Sequence, residues 1–224
     1  MLNMDPSQSL IIDTLSQVWS ASPKTGVWRK PLEREAAESG HVTSVVRYDP
    51  NSSFSTHEHP LGEEIIVLKG MFSDEDGDYP AGTYLRNPPG SNHTPYSHQG
   101  CELFVKLNQM DTLDQTAVRK QIIWDRVAKE SASYCTQTNP IQRSQPILLY
   151  SHNNEAVYIV RLEPGQFIHP NDGFSRYEIF ILKGTLQFKQ QHLPTLTWMR
   201  LKFDQAQSLN ATEHCVIWLK EAGR

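Results

Sequence analysis

Three segments of the 224-residue chain return at one spacing. VVRYDP at 45–50 recurs as IVRLEP at 159–164, EEIIVLKG at 63–70 as YEIFILKG at 177–184, and CELFVKL at 101–107 as CVIWLKE at 215–221, each displaced by 114 residues. A constant offset over separate segments means that the connections between them kept their combined length, so the chain reads as a duplicated domain. The recurring pieces are short, rich in β-branched and aromatic residues and bounded by turn residues, with no long run of 3.6-residue periodicity. Strands are expected at 41–48, 64–69, 83–87, 102–107, 156–162, 177–183 and 216–220, which is an all-β sandwich or barrel pattern. A looser echo, SLIID at 9–13 against QIIWD at 121–125, extends the repeat to a first strand with a two-residue slip. The boundary is expected in the polar stretch NQMDTLDQT, near Asp111 to Thr116, giving domains of 1–114 and 115–224.

Composition excludes several classes. Lys and Arg total 21 against 25 Asp and Glu, a net charge of -4, and no basic stripe marks a nucleic-acid surface. The longest apolar runs, IIVL at 65–68 and PILLY at 146–150, fall far short of the ~20 residues that cross a bilayer. The start, MLNMDPSQSLIID, has neither the basic opening nor the apolar stretch of a secretory signal, so a cytoplasmic protein is expected. Cys101, Cys135 and Cys215 form no C-x-x-C pair and suggest no disulfide framework; reduced thiols are expected.

The stretch STHEHPLGEEIIVLKG at 55–70 carries the chemistry. His57 and His59, two residues apart, project from one face of an extended chain. After three intervening residues Glu63 opens a strand with Ile65 and Val67 on its own face, and a Pro-Gly turn at 88–90 delivers His93 at the start of another. Imidazole and carboxylate together suit Zn, Fe, Mn, Co or Ni. Glu64 has the opposite strand parity and is expected on the outer face or in a hydrogen bond near the rim. The acidic run at 74–78 fails the calcium-loop spacing, with Gly77 fourth and Leu85 twelfth, and reads as a solvated hairpin turn.

His57-x-His59, three residues, Glu63, six residues, Gly70 resembles the first cupin motif, with Ser or Asn where its leading glycine would stand. Gly82 to His93 resembles the second motif, with Ser97 in place of its final asparagine. The wording from Gly62 to Pro95 is similar to the cupin domain of ChrR-type anti-sigma factors. The resemblance implies two tandem cupin barrels of the double-stranded β-helix or jelly-roll type, a bicupin. It also implies a His3Glu site of His57, His59, Glu63 and His93 holding one divalent ion per chain, zinc being that family's usual metal. Four ligands on zinc make a closed site of the structural or sensory kind, whereas an octahedral ion keeps two open positions.

The 114-residue offset carries the four ligand positions onto Asn171, Gly173, Tyr177 and Gln207, so the second copy is expected to bind no metal. His169 with Tyr177 and Glu178 is a weaker alternative there. Cys101 is a candidate redox-sensitive thiol near the metal, although its counterpart Cys215 lies beside no ligand. Two functions follow. One is a regulatory, sensory bicupin with a sigma factor or other protein as partner; residues 1–40 contain no Cys or His, so the zinc-binding anti-sigma domain of that family has no counterpart in them. The other is a metal-dependent dioxygenase or isomerase acting on a small acidic or carbonyl compound. An inward arginine would mark the enzyme, and Arg86 is the nearest candidate; Arg47 and Arg161 recur in both copies and read as architectural. An oligomer is compatible with either.

Overall fold

A computed structural model describes residues 1–36, 39–122 and 146–223. The protein is predominantly β, its one helical turn lying at Phe203–Ala206 among the described residues. Cys135 and most of the QIIWD segment lie outside them.

The chain divides into two compact units, residues 1–4 with 17–122 and residues 5–16 with 123–224. The first contains β2 (Ser20–Ala21), β3 (Val27–Arg34), β4 (Val42–Tyr48), β5 (Ser52–Ser53), β6 (His57–His59), β7 (Glu63–Asp74), β8 (Gly77–Pro80), β9 (Thr83–Asn87), β10 (Ser91–His93), β11 (Tyr96–Ser97), β12 (Cys101–Leu107) and β13 (Val118–Gln121). The second contains β1 (Leu10–Asp13), β14 (Ile147–His152), β15 (Glu155–Leu162), β16 (Arg176–Lys183), β17 (Leu186–Phe188), β18 (Gln191–Leu193), β19 (Thr197–Leu201), β20 (Asn210–Ala211) and β21 (Cys215–Ala222).

Apart from β2, which has no counterpart among the described residues, the main sheets repeat each other in strand order. The first unit runs β13-β9-β7-β12-β4-β3-β2 and the second β1-β19-β16-β21-β15-β14. Cys101 faces Tyr48 across the ladder as Cys215 faces Leu162, a register preserved at the 114-residue offset. Even the irregularities recur. Leu68 in β7 and Leu182 in β16 are each left over where the ladder to β12 or β21 slips, and Leu32 in β3 and Leu149 in β14 are left over against β4 and β15. Bulges bend strands and re-aim side chains, so their retention marks them as part of the design. The glycine ending each EEIIVLKG-type repeat has a physical reason. Gly70 and Gly184 have φ of +75° and +83°, and a Cβ on either would run into the backbone carbonyl of Gly100 or His214.

The edge strands are exchanged along the chain. β1, from the start of the sequence, pairs with β19 in the second unit (Asp13 opposite Thr197), and β13, from the sequence following the first repeat, pairs with β9 in the first (Gln121 opposite Thr83). Asp13 and Gln121 are therefore the equivalent residues, whereas the SLIID/QIIWD echo aligns Asp13 with Asp125; the echo is corrected by four residues.

Each unit has its own apolar core. In the first, Val46, Tyr48, Ile65, Val67, Leu85, Leu103 and Val105 are buried together, all on one face of β4, β7, β9 and β12. The other face carries a row of charges directly across the strands, Lys106–Glu64–Arg86, repeated as Lys220–Glu178–Arg200. All six are buried. Alternating signs compensate the cost of burial, as Coulomb attraction and hydrogen bonds replace water. Glu64 takes the face opposite Glu63 and the hydrogen bond expected of it, although buried, whereas the expectation for Arg86 is corrected. Glu64 is 2 % exposed and accepts a hydrogen bond from the Tyr84 hydroxyl at 2.7 Å, and Arg86 pairs with Asp114 at 2.8 Å on the face away from Glu63. Arg86 is no candidate for holding a substrate.

Candidate metal centre

β6 and β10 pair antiparallel, setting His93 opposite His57 and Ser91 opposite His59. The peptide N–H of Gly90 in the Pro-Gly turn donates to the His59 carbonyl at 2.9 Å, closing the turn that brings β10 back. Glu63 is the first residue of β7, opposite Asn87 of β9, whose amide donates to Glu63 Oε2 at 2.8 Å.

These elements gather three imidazoles and a carboxylate. His57, His59 and His93 each offer a ring nitrogen within 4.8 Å of the others. His59 Nε2 lies 3.0 Å from His93 Nε2, and Glu63 Oε2 lies 3.4 Å and 3.5 Å from these two nitrogens. An ion bound at ~2.0–2.1 Å holds its ligand atoms ~3.3 Å apart in a tetrahedron and ~3.0 Å apart at neighbouring octahedral positions. The 3.0 Å spacing falls in that range, the 3.4 and 3.5 Å spacings lie just above it, and His57 stands somewhat farther off, so the His-based site is able to coordinate a divalent metal with small side-chain adjustments.

The surroundings fix which nitrogens face inward. His57 Nδ1 lies 2.9 Å from the Ser55 carbonyl, and His93 Nδ1 lies 3.3 Å from Asp74 Oδ2. Both partners are pure acceptors, so each Nδ1 carries the proton and each Nε2 presents a bare lone pair, the tautomer a metal requires. Asp74 is 4 % exposed at the end of β7, and its other oxygen accepts from the Tyr79 hydroxyl and the Asp76 N–H, each at 3.0 Å. Burial raises the Asp74 pKa, but the bonds from His93, Asp76 and Tyr79 outweigh it and keep the group a carboxylate. Burial lowers the pKa of His59 against the pull of Glu63, whereas for His93 the hydrogen bond to Asp74 and the charge of Glu63 overcome burial and raise it.

A cavity of about 720 Å³ reaches the cluster. His57, His59 and Glu63 line one part; Tyr48, Phe54, Ile65, Phe72, Leu103 and Val105 form apolar walls; and Arg29, Arg34 and His41 of β3 and the loop before β4 line it as well. All of these residues belong to the first unit.

Among its described residues the second unit has no such ligand cluster. The positions equivalent to β6 form a turn, and those equivalent to β10 lie in the helical turn ending at Gln207. Asn171 donates its backbone N–H and its side-chain amide to the two oxygens of Glu221, both at 2.7 Å, while the Tyr177 hydroxyl donates to the Asn171 carbonyl at 2.7 Å. Asn171 and Tyr177 are thus held in hydrogen bonds with each other and with Glu221. His169 is exposed and belongs to no ligand cluster among the described residues.

Sequence reading missed Asp74, Asn87, Arg29 and Arg34. Asp74 was hidden in an acidic run of which Glu75 is exposed, although it lies two residues from the cavity-lining Phe72 and so shares its strand face. The reactive reading of Cys101 is corrected. Burial pushes its thiol up to about 11, and Cys215 likewise to about 11, so both are protonated packing residues.

Residues 7–111 match the family model described as ChrR Cupin-like domain. No curated protein gives a significant match. Among solved structures, the bacterial pirin YhhW in complex with nickel(II) from Escherichia coli is similar over 96% of this chain and 99% of its own, at 14% identity and a TM-score of 0.71. A Cupin 2 conserved barrel domain protein from Leptotrichia buccalis is similar over 100% of both chains, at 11% identity and a TM-score of 0.56. A variant of salicylate 1,2-dioxygenase from Pseudoaminobacter salicylatoxidans is similar over 81% of this chain and 70% of its own, at 10% identity and a TM-score of 0.57. At such identities the likeness is one of fold, and the protein has the fold of the cupin superfamily.

Proposed function

We propose that the chain is a bicupin, two tandem jelly-roll barrels, whose first barrel binds one divalent metal through His57, His59, Glu63 and His93 and acts as a metal-dependent enzyme on a small molecule, in a dioxygenase-type reaction. The observation that carries this reading is the cavity of about 720 Å³ opening onto the ligand cluster. A closed structural zinc site needs no adjoining space, whereas an enzyme needs room for a reactant beside the ion.

The metal, when bound, would supply Lewis acidity and a place for dioxygen, the oxidant whose two atoms a dioxygenase puts into its product. The chain's own residues do the rest. Ser55 and Asp74 hold the imidazole tautomers, Asn87 orients Glu63, and the walls of Tyr48, Phe54, Ile65 and Phe72 keep water from the reacting end. The ligand set does not separate zinc from iron, manganese, cobalt or nickel; the nickel(II) complex of the E. coli pirin supports a metal role for this fold.

A regulatory role is the second reading, favoured by the match of residues 7–111 to a ChrR Cupin-like model. The two are separated by loading the protein anaerobically with Fe(II), Mn(II), Ni(II) or Zn(II) and following oxygen uptake with small carboxylic and carbonyl compounds. Metal-dependent uptake with 18O entering the product supports the enzyme. Stoichiometric metal with no uptake under any loading supports the sensor.

A further inference from the structure

We propose that the cavity takes a small carboxylic acid with a flat apolar body, its carboxylate held by Arg29 and Arg34 of β3. The proposal rests on reading this cavity as a reactant site, and it names the reactant's chemical class.

A bulge brings Arg34 to the cavity face that Arg29 already occupies. In an unbroken strand the face of Arg29 and Pro31 would continue with Glu33. The slip at Leu32 turns Glu33 to the opposite face, where it accepts from the Thr43 hydroxyl at 2.8 Å, and brings Arg34 into register with Val42 on the cavity side. The irregularity thus exchanges a negative charge for a positive one in the cavity wall. Glu35, also at the cavity, turns its carboxylate onto the backbone N–H of His41 at 3.0 Å.

The duplication supplies an internal control. The bulge recurs at Leu149, and register with β15 makes Ser151 the counterpart of Arg34 and Pro146 that of Arg29. The second copy has therefore lost both arginines together with all four metal ligands, while it kept the buried Lys220–Glu178–Arg200 row. Charges kept in both copies serve the architecture; those found only beside the metal ligands serve the site. Between the two groups the walls are apolar and aromatic, matching a ligand whose polarity is concentrated at its ends. Tyr48, 6 % exposed, is one of these walls.

The test compares benzoate, phenylacetate and 2-oxobutanoate with the neutral benzamide, by titration calorimetry on the metal-loaded and metal-free protein and on Arg29→Gln and Arg34→Gln. Charge-assisted bonds predict that at least one carboxylate binds about 10- to 100-fold more tightly than a neutral isostere, and that each arginine variant loses most of that preference. The preference should persist without metal. Three results would overturn the proposal: binding of none of the carboxylates, equal affinity for acid and amide, or an anion preference that vanishes with the metal and survives both variants, which would mean the carboxylate sits on the ion. Oxygen uptake is read separately, so carboxylate binding without uptake would count against the dioxygenase reading and leave this assignment standing.

Discussion

Replacing Asp74 by Asn tests whether the tautomer of His93 is set from outside the cluster. Asp74 Oδ2 faces His93 Nδ1 at 3.3 Å, while Oδ1 accepts from Tyr79 and from the Asp76 N–H, each at 3.0 Å. Asparagine has the same shape and its Oδ1 keeps the latter two bonds, so the hairpin should remain intact. Its Nδ2, however, turns a donor toward the donor of His93. The imidazole then moves its proton to Nε2, the atom aimed at the metal, and the ion must reverse that change on binding. Loss of an outer-shell partner of this kind costs about 10- to 100-fold in affinity, or about 1.4–2.7 kcal/mol. Competition with a fluorescent chelator measures it, with thermal melting of the metal-free protein as the control for folding. Tyr79→Phe, which removes a partner of Asp74 without touching His93, should weaken binding less. Affinity for Asp74→Asn within about threefold of the parent, at unchanged stability, would refute the argument.

Three further outcomes follow. His57→Ala, His59→Ala, Glu63→Gln and His93→Ala should each fail to retain a full equivalent of metal through gel filtration, whereas Tyr177→Phe in the second unit should retain it; elemental analysis decides. Glu33 is held at about 2 against an ordinary 4.5, because the bonds from His41 and Thr43 and the charge of Lys106 outweigh its burial. The folded-state value is depressed, so the stabilisation, of order 3 kcal/mol, is fully present above about pH 4.5 and lost as the pH falls toward 2. Glu33→Gln should flatten that part of the acid-unfolding curve, and an unchanged curve in urea titrations would contradict the assignment. Cys101, with its thiol raised to about 11, should react with a disulfide reagent at neutral pH only at the rate of unfolding; rapid labelling of the native protein at Cys101 would restore the redox reading.

The duplication was legible because strand pattern and loop length are local properties, and the offset of 114 residues carries through to the ladders. The histidine and glutamate spacings were legible for the same reason, since period two and a Pro-Gly turn suffice to gather them. β3 escaped notice because Pro31 interrupts VWRKPLER; the strand tolerates it beside the bulge at Leu32, where the ladder is already broken. That bulge also conceals Arg34, whose facing no alternation rule yields. The exchange of β1 and β13 could not be read either, because both possible partners, β9 and β19, are themselves repeats of each other, and local sequence does not choose between copies. Arg86 misled for a different reason: it is as buried as a substrate-holding arginine would be, but on the face where Glu64 and Asp114 compensate it.

The central claim is that one metal ion sits in the first unit on three imidazoles and one carboxylate. Anomalous diffraction from crystals of the protein purified without added metal, collected on both sides of the absorption edge of the element found by emission spectroscopy, tests it most directly. The account predicts a single peak per chain, about 2.0–2.2 Å from Nε2 of His57, His59 and His93 and from an oxygen of Glu63. No peak at those four atoms after incubation with Fe(II), Mn(II), Ni(II) or Zn(II), or a peak of equal height in the second unit, would contradict it.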